Sequence, residues 1–136
     1  MSARELFNGR WVFDPVQSRL STETPRQWVQ QIAIDGDGIG VREDITMADG
    51  SRATIVVDAR FNAGDAVVSG SPVADTISYT RPDARTITGA GRKQGQLSLT
   101  ESVNVSGDGQ TLTVRYGIFV GGRQVANGLP SFHRQA

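Results

Sequence analysis

The stretch Gln96–Val120, QLSLTESVNVSGDGQTLTVRYGIFV, decides the fold. In its first half Leu97, Leu99, Val103 and Val105 alternate with Ser98, Thr100, Ser102 and Asn104. In its second half Leu112, Val114, Tyr116, Ile118 and Val120 repeat the alternation. Successive side chains of an extended chain point to opposite faces, so a period of two marks a strand with one dry face. Between the halves, Ser106-Gly-Asp-Gly109 supplies residues that tolerate positive φ and turn the chain back on itself.

The same pattern recurs on the N-terminal side. Ala53, Ile55, Val57, Ala59 and Phe61 share one face, against Arg52, Thr54, Asp58 and Arg60 on the other. Turn signals such as Asp35-Gly-Asp-Gly38, Ala48-Asp-Gly50, Asn62-Ala-Gly64 and Arg81-Pro-Asp-Ala84 punctuate the runs. The spacing predicts strands at 9–13, 27–35, 39–47, 52–61, 66–69, 75–81, 85–91, 96–106, 110–120 and 123–134. No segment carries a helical apolar stripe over three turns. A twisted sheet of nine or ten strands does not stay open comfortably, and closure removes its edges. The predicted fold is therefore all-β: one antiparallel up-and-down barrel of about 8–10 strands. It forms a single domain over residues 1–136. A two-sheet sandwich is the rival arrangement of the same strands. Asp14–Pro25, DPVQSRLSTETP, is unpatterned and reads as a loop, either over one mouth of the barrel or as a surface Ω-loop.

Composition narrows the function. The chain has 136 residues, 14 basic and 14 acidic, and no cysteine. Disulfides, zinc–thiolate sites, iron–sulfur clusters and cysteine nucleophiles are excluded together. Charge balance without a basic stripe points away from nucleic acid. No apolar run reaches the ~20 residues of a membrane helix, and Met1–Arg10 has no signal-peptide core. The expectation is a cytoplasmic protein with no membrane or nucleic-acid partner. A homodimer is expected on base rates.

Phe7-Asn8-Gly9-Arg10-Trp11 resembles the Gly-x-Trp opening of lipocalin and fatty-acid-binding-protein barrels. Three later segments resemble small bacterial lipocalin-like proteins: Asp14-Pro15-Val16-Gln17-Ser18, Gly70-Ser71-Pro72-Val73-Ala74-Asp75-Thr76, and Ser106 to Val114. The resemblance spans nearly the whole chain. It implies a calycin barrel with an apolar cavity, closed at one end by Trp11, and no particular activity. Two departures argue against a fatty-acid carrier. Where that family has Arg-x-Tyr on a late strand, Arg115 and Tyr116 are adjacent and must point to opposite faces. The segment 14–25 is also too short for a helix–turn–helix lid.

The chemical anomaly is a carboxylate on a dry face. Glu101 shares parity with Leu99 and Val103, and Glu43 with Val41 and Ile45. Desolvating a carboxylate is costly, so such a group pairs or takes a raised pKa. A raised carboxyl in a cavity suits general acid–base work near neutral pH. A structural ion pair or a place at the rim is the plainer account of either residue. Tyr79 and Tyr116 share the inward parity, as catalytic partners orienting a substrate oxygen or as packed core with a satisfied hydroxyl. Trp28, Phe61, Ile118 and His133 complete the candidate ligand-binding set. His133, the only histidine, is a lumen or mouth residue in that reading and an exposed strand-end residue in the plain one. No metal site and no cofactor are expected.

Binding of a small hydrophobic or aromatic molecule comes first. A cofactor-independent lyase, isomerase or cyclase using Glu101, Glu43 and a tyrosine comes second. A barrel filled by its own side chains is the third reading.

Overall fold

A computed structural model describes residues 5–135. Ten strands account for most of them: β1 (Gly9–Leu20), β2 (Gln27–Asp35), β3 (Gly38–Thr46), β4 (Arg52–Arg60), β5 (Ala66–Ser69), β6 (Thr76–Asp83), β7 (Thr86–Lys93), β8 (Gln96–Val105), β9 (Thr111–Val120) and β10 (Arg123–Arg134). Each pairs antiparallel with its sequence neighbours, and β10 returns to β1, so the sheet is a closed barrel. The sandwich alternative is excluded by that closure. Among the described residues no helix is long and apolar enough to cross a membrane.

One end of the barrel is filled. Trp11, Phe7, Ile87, Val105, Leu112 and Phe132 are all essentially inaccessible there. The Trp11 indole Nε1 donates to the Phe7 carbonyl at 2.9 Å. The Arg134 guanidinium lies 4.3 Å from the Trp11 ring centre, and its Nε and Nη1 donate to the carbonyls of Gly109 (2.7 Å) and Asn8 (2.6 Å). Gly9 is at φ 139°, and a Cβ there would sit 2.5 Å from Arg134 Nη1. That positive φ, with the Arg134 head group packed close, is why glycine precedes the plugging tryptophan.

Two expectations need correction. Asp14–Pro25 is not a loop throughout, because β1 runs on to Leu20. Its register with β10 jumps from Asp14↔Ser131 to Arg19↔Leu129, so four residues, Pro15–Ser18, stand against Pro130 alone. A proline offers no N–H to a ladder, and a bulge opposite it leaves no donor wanting. Ser18 Oγ stitches the bulge, donating to the Asp14 carbonyl (2.6 Å) and accepting from the Ser131 N–H (2.8 Å). Only Ser21–Arg26 connects β1 to β2, and Thr22, Glu23 and Pro25 within it border the open mouth. The second correction is Leu97. A bulge at Ser98, between the pairs Gly91↔Leu99 and Arg92↔Leu97, turns Leu97 outward and Ser98 inward. Residues beyond the bulge keep the expected phase, Glu101 among them.

Candidate functional site

The half of the barrel away from Trp11 encloses a cavity of about 160 Å³. It opens into a vestibule of about 350 Å³ bordered by Leu20, Glu23, Pro25, Met47 and Arg52. Glu43, Glu101, Tyr79, Tyr116, Trp28 and Ile118 all line the inner cavity. Parity along separate strands thus brings six of the eight sequence candidates together.

Register explains how. Directly paired residues on neighbouring strands share a face. Tyr79 pairs with Gly89, Gly89 with Glu101, Glu101 with Tyr116 and Tyr116 with Gly128. One inward row therefore crosses β6 to β10 as Tyr–Gly–Glu–Tyr–Gly. The glycines make room for their large neighbours. A Cβ at Gly128 would lie 2.5 Å from Cε2 and Cζ of Tyr116, so the phenol occupies the space a side chain would take. On the facing wall Gln30 pairs with Glu43 and Glu43 with Ile55.

The carboxyls have different surroundings. Glu43 Oε1 accepts from Trp28 Nε1 at 2.9 Å and from Gln30 Nε2 at 3.1 Å. Burial raises the Glu43 pKa, and the Trp28 hydrogen bond opposes the rise. Glu101 makes no hydrogen bond among the described residues. Burial, then the charge of Glu43, pushes its pKa up to about 8. The Tyr79 phenol is raised well above its ordinary value by burial, with Glu101 and Glu43 adding to the effect. These groups feel one another across the cavity. Lining it is not the same as being sealed in the core: both glutamates keep some contact with open space, so their desolvation is incomplete.

Two candidates lie elsewhere. Phe61 faces inward but belongs to the filled end, bridging to Tyr79 with Arg81 5.9 Å above its ring. His133 is on the outer face of β10, exposed, where Nε2 meets Asp14 Oδ2 of β1. That contact holds the Asp14 carboxyl below its usual pKa. Parity could have placed His133 outside, since it alternates with the buried Phe132. Gln30 was missed although it shares parity with Trp28 and Ile32. Ser71, on the segment between β5 and β6, also lines the cavity and carried no strand pattern to reveal it. Arg115 is exposed while Tyr116 points in, as their adjacency requires.

A wider groove of about 690 Å³ runs along β8, β9 and β10, with Arg19, Arg115, Gln124 and Asn127 on its walls and Glu101 and Tyr116 shared with the cavity. It is solvent-open, so it desolvates a ligand poorly. The described residues contain no group of three or more side chains suited to hold a metal.

No protein-family model matches the sequence, and no curated protein matches it closely enough to stand as a relative. Among solved structures, the zebrafish ileal bile acid-binding protein in complex with cholic acid is similar in fold. The alignment covers 96% of this chain and 99% of that one, with a TM-score of 0.61 and 11% identity. Identity at that level speaks for the shared fold alone, here a closed ten-stranded antiparallel barrel.

Proposed function

We propose that the barrel binds one small hydrophobic or aromatic molecule in the cavity between Trp28, Tyr79, Tyr116 and Ile118. The observation that carries this is the contrast between the two ends: one filled by Trp11 and its neighbours, the other hollow and lined by aromatic and aliphatic groups around a few polar ones. Such a lining is typical of small-molecule sites. The fold neighbour is a bile acid-binding protein in complex with cholic acid, and that likeness supports a barrel that takes a small molecule. The segments that resemble small bacterial lipocalin-like proteins support a cavity too; in this proposal the chain is one domain, cytoplasmic and a homodimer.

Native mass spectrometry of the purified protein, compared with its denatured mass, tests for a co-purified ligand. Titration with a hydrophobic fluorescent dye tests for the cavity itself. One dye should bind per barrel, and Ile118→Trp, which fills the cavity, should abolish binding. A clean mass with no dye binding would instead favour a filled barrel.

One observation favours a second reading. Glu101 is a largely desolvated carboxyl with a raised pKa and no hydrogen-bond partner, in the same row as Tyr79 and Tyr116. That arrangement suits a cofactor-independent lyase, isomerase or cyclase working by proton transfer, with Glu101 as acid or base, Glu43 as its electrostatic partner and a tyrosine on the substrate oxygen. Glu101→Gln should then remove turnover while keeping binding.

A further inference from the structure

The inner cavity holds no positive group. Its titratable side chains are Glu43 from β3, Tyr79 from β6, Glu101 from β8 and Tyr116 from β9, whereas β2, β4 and β5 contribute only neutral ones. The one cation bordering the vestibule, Arg52, shares that rim with Glu23, and Arg19 and Arg115 border the solvent-open groove on which Glu101 also lies, without pairing with it. A buried carboxylate is costly unless a cation or a proton compensates it.

The cavity compensates one carboxyl and leaves the other open. Trp28 and Gln30 both donate to Glu43, which favours its ionised form. Glu101 receives no donor and keeps its proton up to about pH 8. Tyr79 is only 5% exposed, and its hydroxyl has no partner yet still borders the open space. The resting cavity thus holds one carboxyl with two donors, one protonated carboxyl with none, and an unused phenol.

We propose that the cavity selects a protonated amine on a small apolar or aromatic body, with its ammonium seated between Glu43 and Glu101. The inference rests on the binding reading above and names its ligand class. An ammonium is a donor only, and three oxygen-bearing groups, Glu43, Glu101 and Tyr79, converge to accept. The Trp28 and Tyr116 rings line the same cavity, where aromatic groups attract a cation and cover its apolar body. A carboxylate ligand would meet two further carboxyls and no cation.

The charges balance in one step. The ammonium favours ionised Glu101, so Glu101 releases its proton to solvent as the cation enters. Amine affinity therefore rises as pH approaches about 8 from below. It falls again at higher pH, where the free amine loses its own proton.

The test uses the full chain with phenethylamine, phenethyl alcohol and phenylacetate, followed by Trp fluorescence and calorimetry near neutral pH. The amine should bind about tenfold or more tighter than the alcohol, and phenylacetate should bind weakest. Heats measured in phosphate and Tris should differ by the proton released. Glu101→Gln should cost the amine about tenfold and abolish the buffer dependence, leaving the alcohol unchanged. Glu43→Gln serves as the second variant and should likewise weaken the amine alone. Equal binding of amine and alcohol, tighter binding of phenylacetate, or failure of all three while a hydrophobic dye binds would overturn the inference and leave the binding reading standing. Failure of the dye as well would overturn both.

Discussion

Gly89 and Glu101 face each other across the β7–β8 ladder, and a Cβ added at Gly89 would stand 3.0 Å from both Cγ and Oε1 of the glutamate. The same Cβ would stand 3.2 Å from Cε1 of Tyr79. A missing side chain is thus what lets a carboxyl and a phenol share one row of the wall. The cavity's polar centre depends on an absence as much as on the groups present.

Gly89→Ala tests that dependence. Its backbone is not in the left-handed region, so alanine brings no backbone strain. The Glu101 side chain is flexible and should yield a few tenths of an ångström into the cavity. Removing glycine's freedom in the unfolded chain offsets part of the crowding. The variant should keep a melting temperature within a few degrees of the parent. Its affinity for a cavity ligand should fall about threefold to tenfold. Thermal melts and dye titration on the same sample check both.

Glu101 should also write a signature into stability against pH. Its pKa rises on folding, from an ordinary 4.5 to about 8, so the folded state holds a proton that the unfolded state has released over that interval. Stability therefore falls as pH climbs through the interval and levels off above it. The limit for a fully dry site is about 5 kcal/mol, and water in the cavity brings the loss below that. Glu101→Gln should flatten this slope, gaining most over the parent at alkaline pH and little in acid. Urea denaturation across pH reads it directly, and parallel curves for parent and variant would refute the buried, raised carboxyl.

The sequence shows the strand pattern and the inward phase of Glu43, Glu101, Tyr79 and Tyr116, because parity is a local property, and closure follows from the number of strands. It hides what depends on pairing between distant strands. Gly89 and Gly128 are ordinary strand residues until register sets them against Glu101 and Tyr116. The bulge at Ser98 reverses Leu97, and alternation in a single strand carries no mark of it. The continuation of β1 past Asp14 is equally hidden, since it rests on Pro130, more than a hundred residues away. Phe61 shows another limit: parity gives the face but not the depth, and that face is cavity at one end and packed core at the other.

Trp28 links the site to the core, and replacing it separates two roles. Its ring centre is 5.6 Å from Phe13 and 5.1 Å from Phe132, while its indole N–H serves Glu43. Trp28→Phe keeps aromatic bulk at the contact and removes the donor. Glu43, left with Gln30 alone, should then titrate at higher pH than in the parent. Carboxyl-carbon NMR of both proteins checks the direction. An unchanged Glu43 titration would mean that the indole contributes packing only.

Arg134 provides the opposite control, a residue that holds the fold at a distance from the cavity. It donates to the carbonyls of Leu6, Asn8 and Gly109 and covers one face of Trp11. Arg134→Ala leaves those carbonyls short of a charged donor and opens the plugged end to water. A loss of about 2–4 kcal/mol is expected from the broken network. Dye affinity measured on the folded fraction should nevertheless match the parent, because none of these groups lines the inner cavity. Denaturation and dye titration of the one variant decide between independent ends and a coupled barrel: if affinity falls with stability, the plug does more than close the bottom, and the packed end sets the shape of the hollow one.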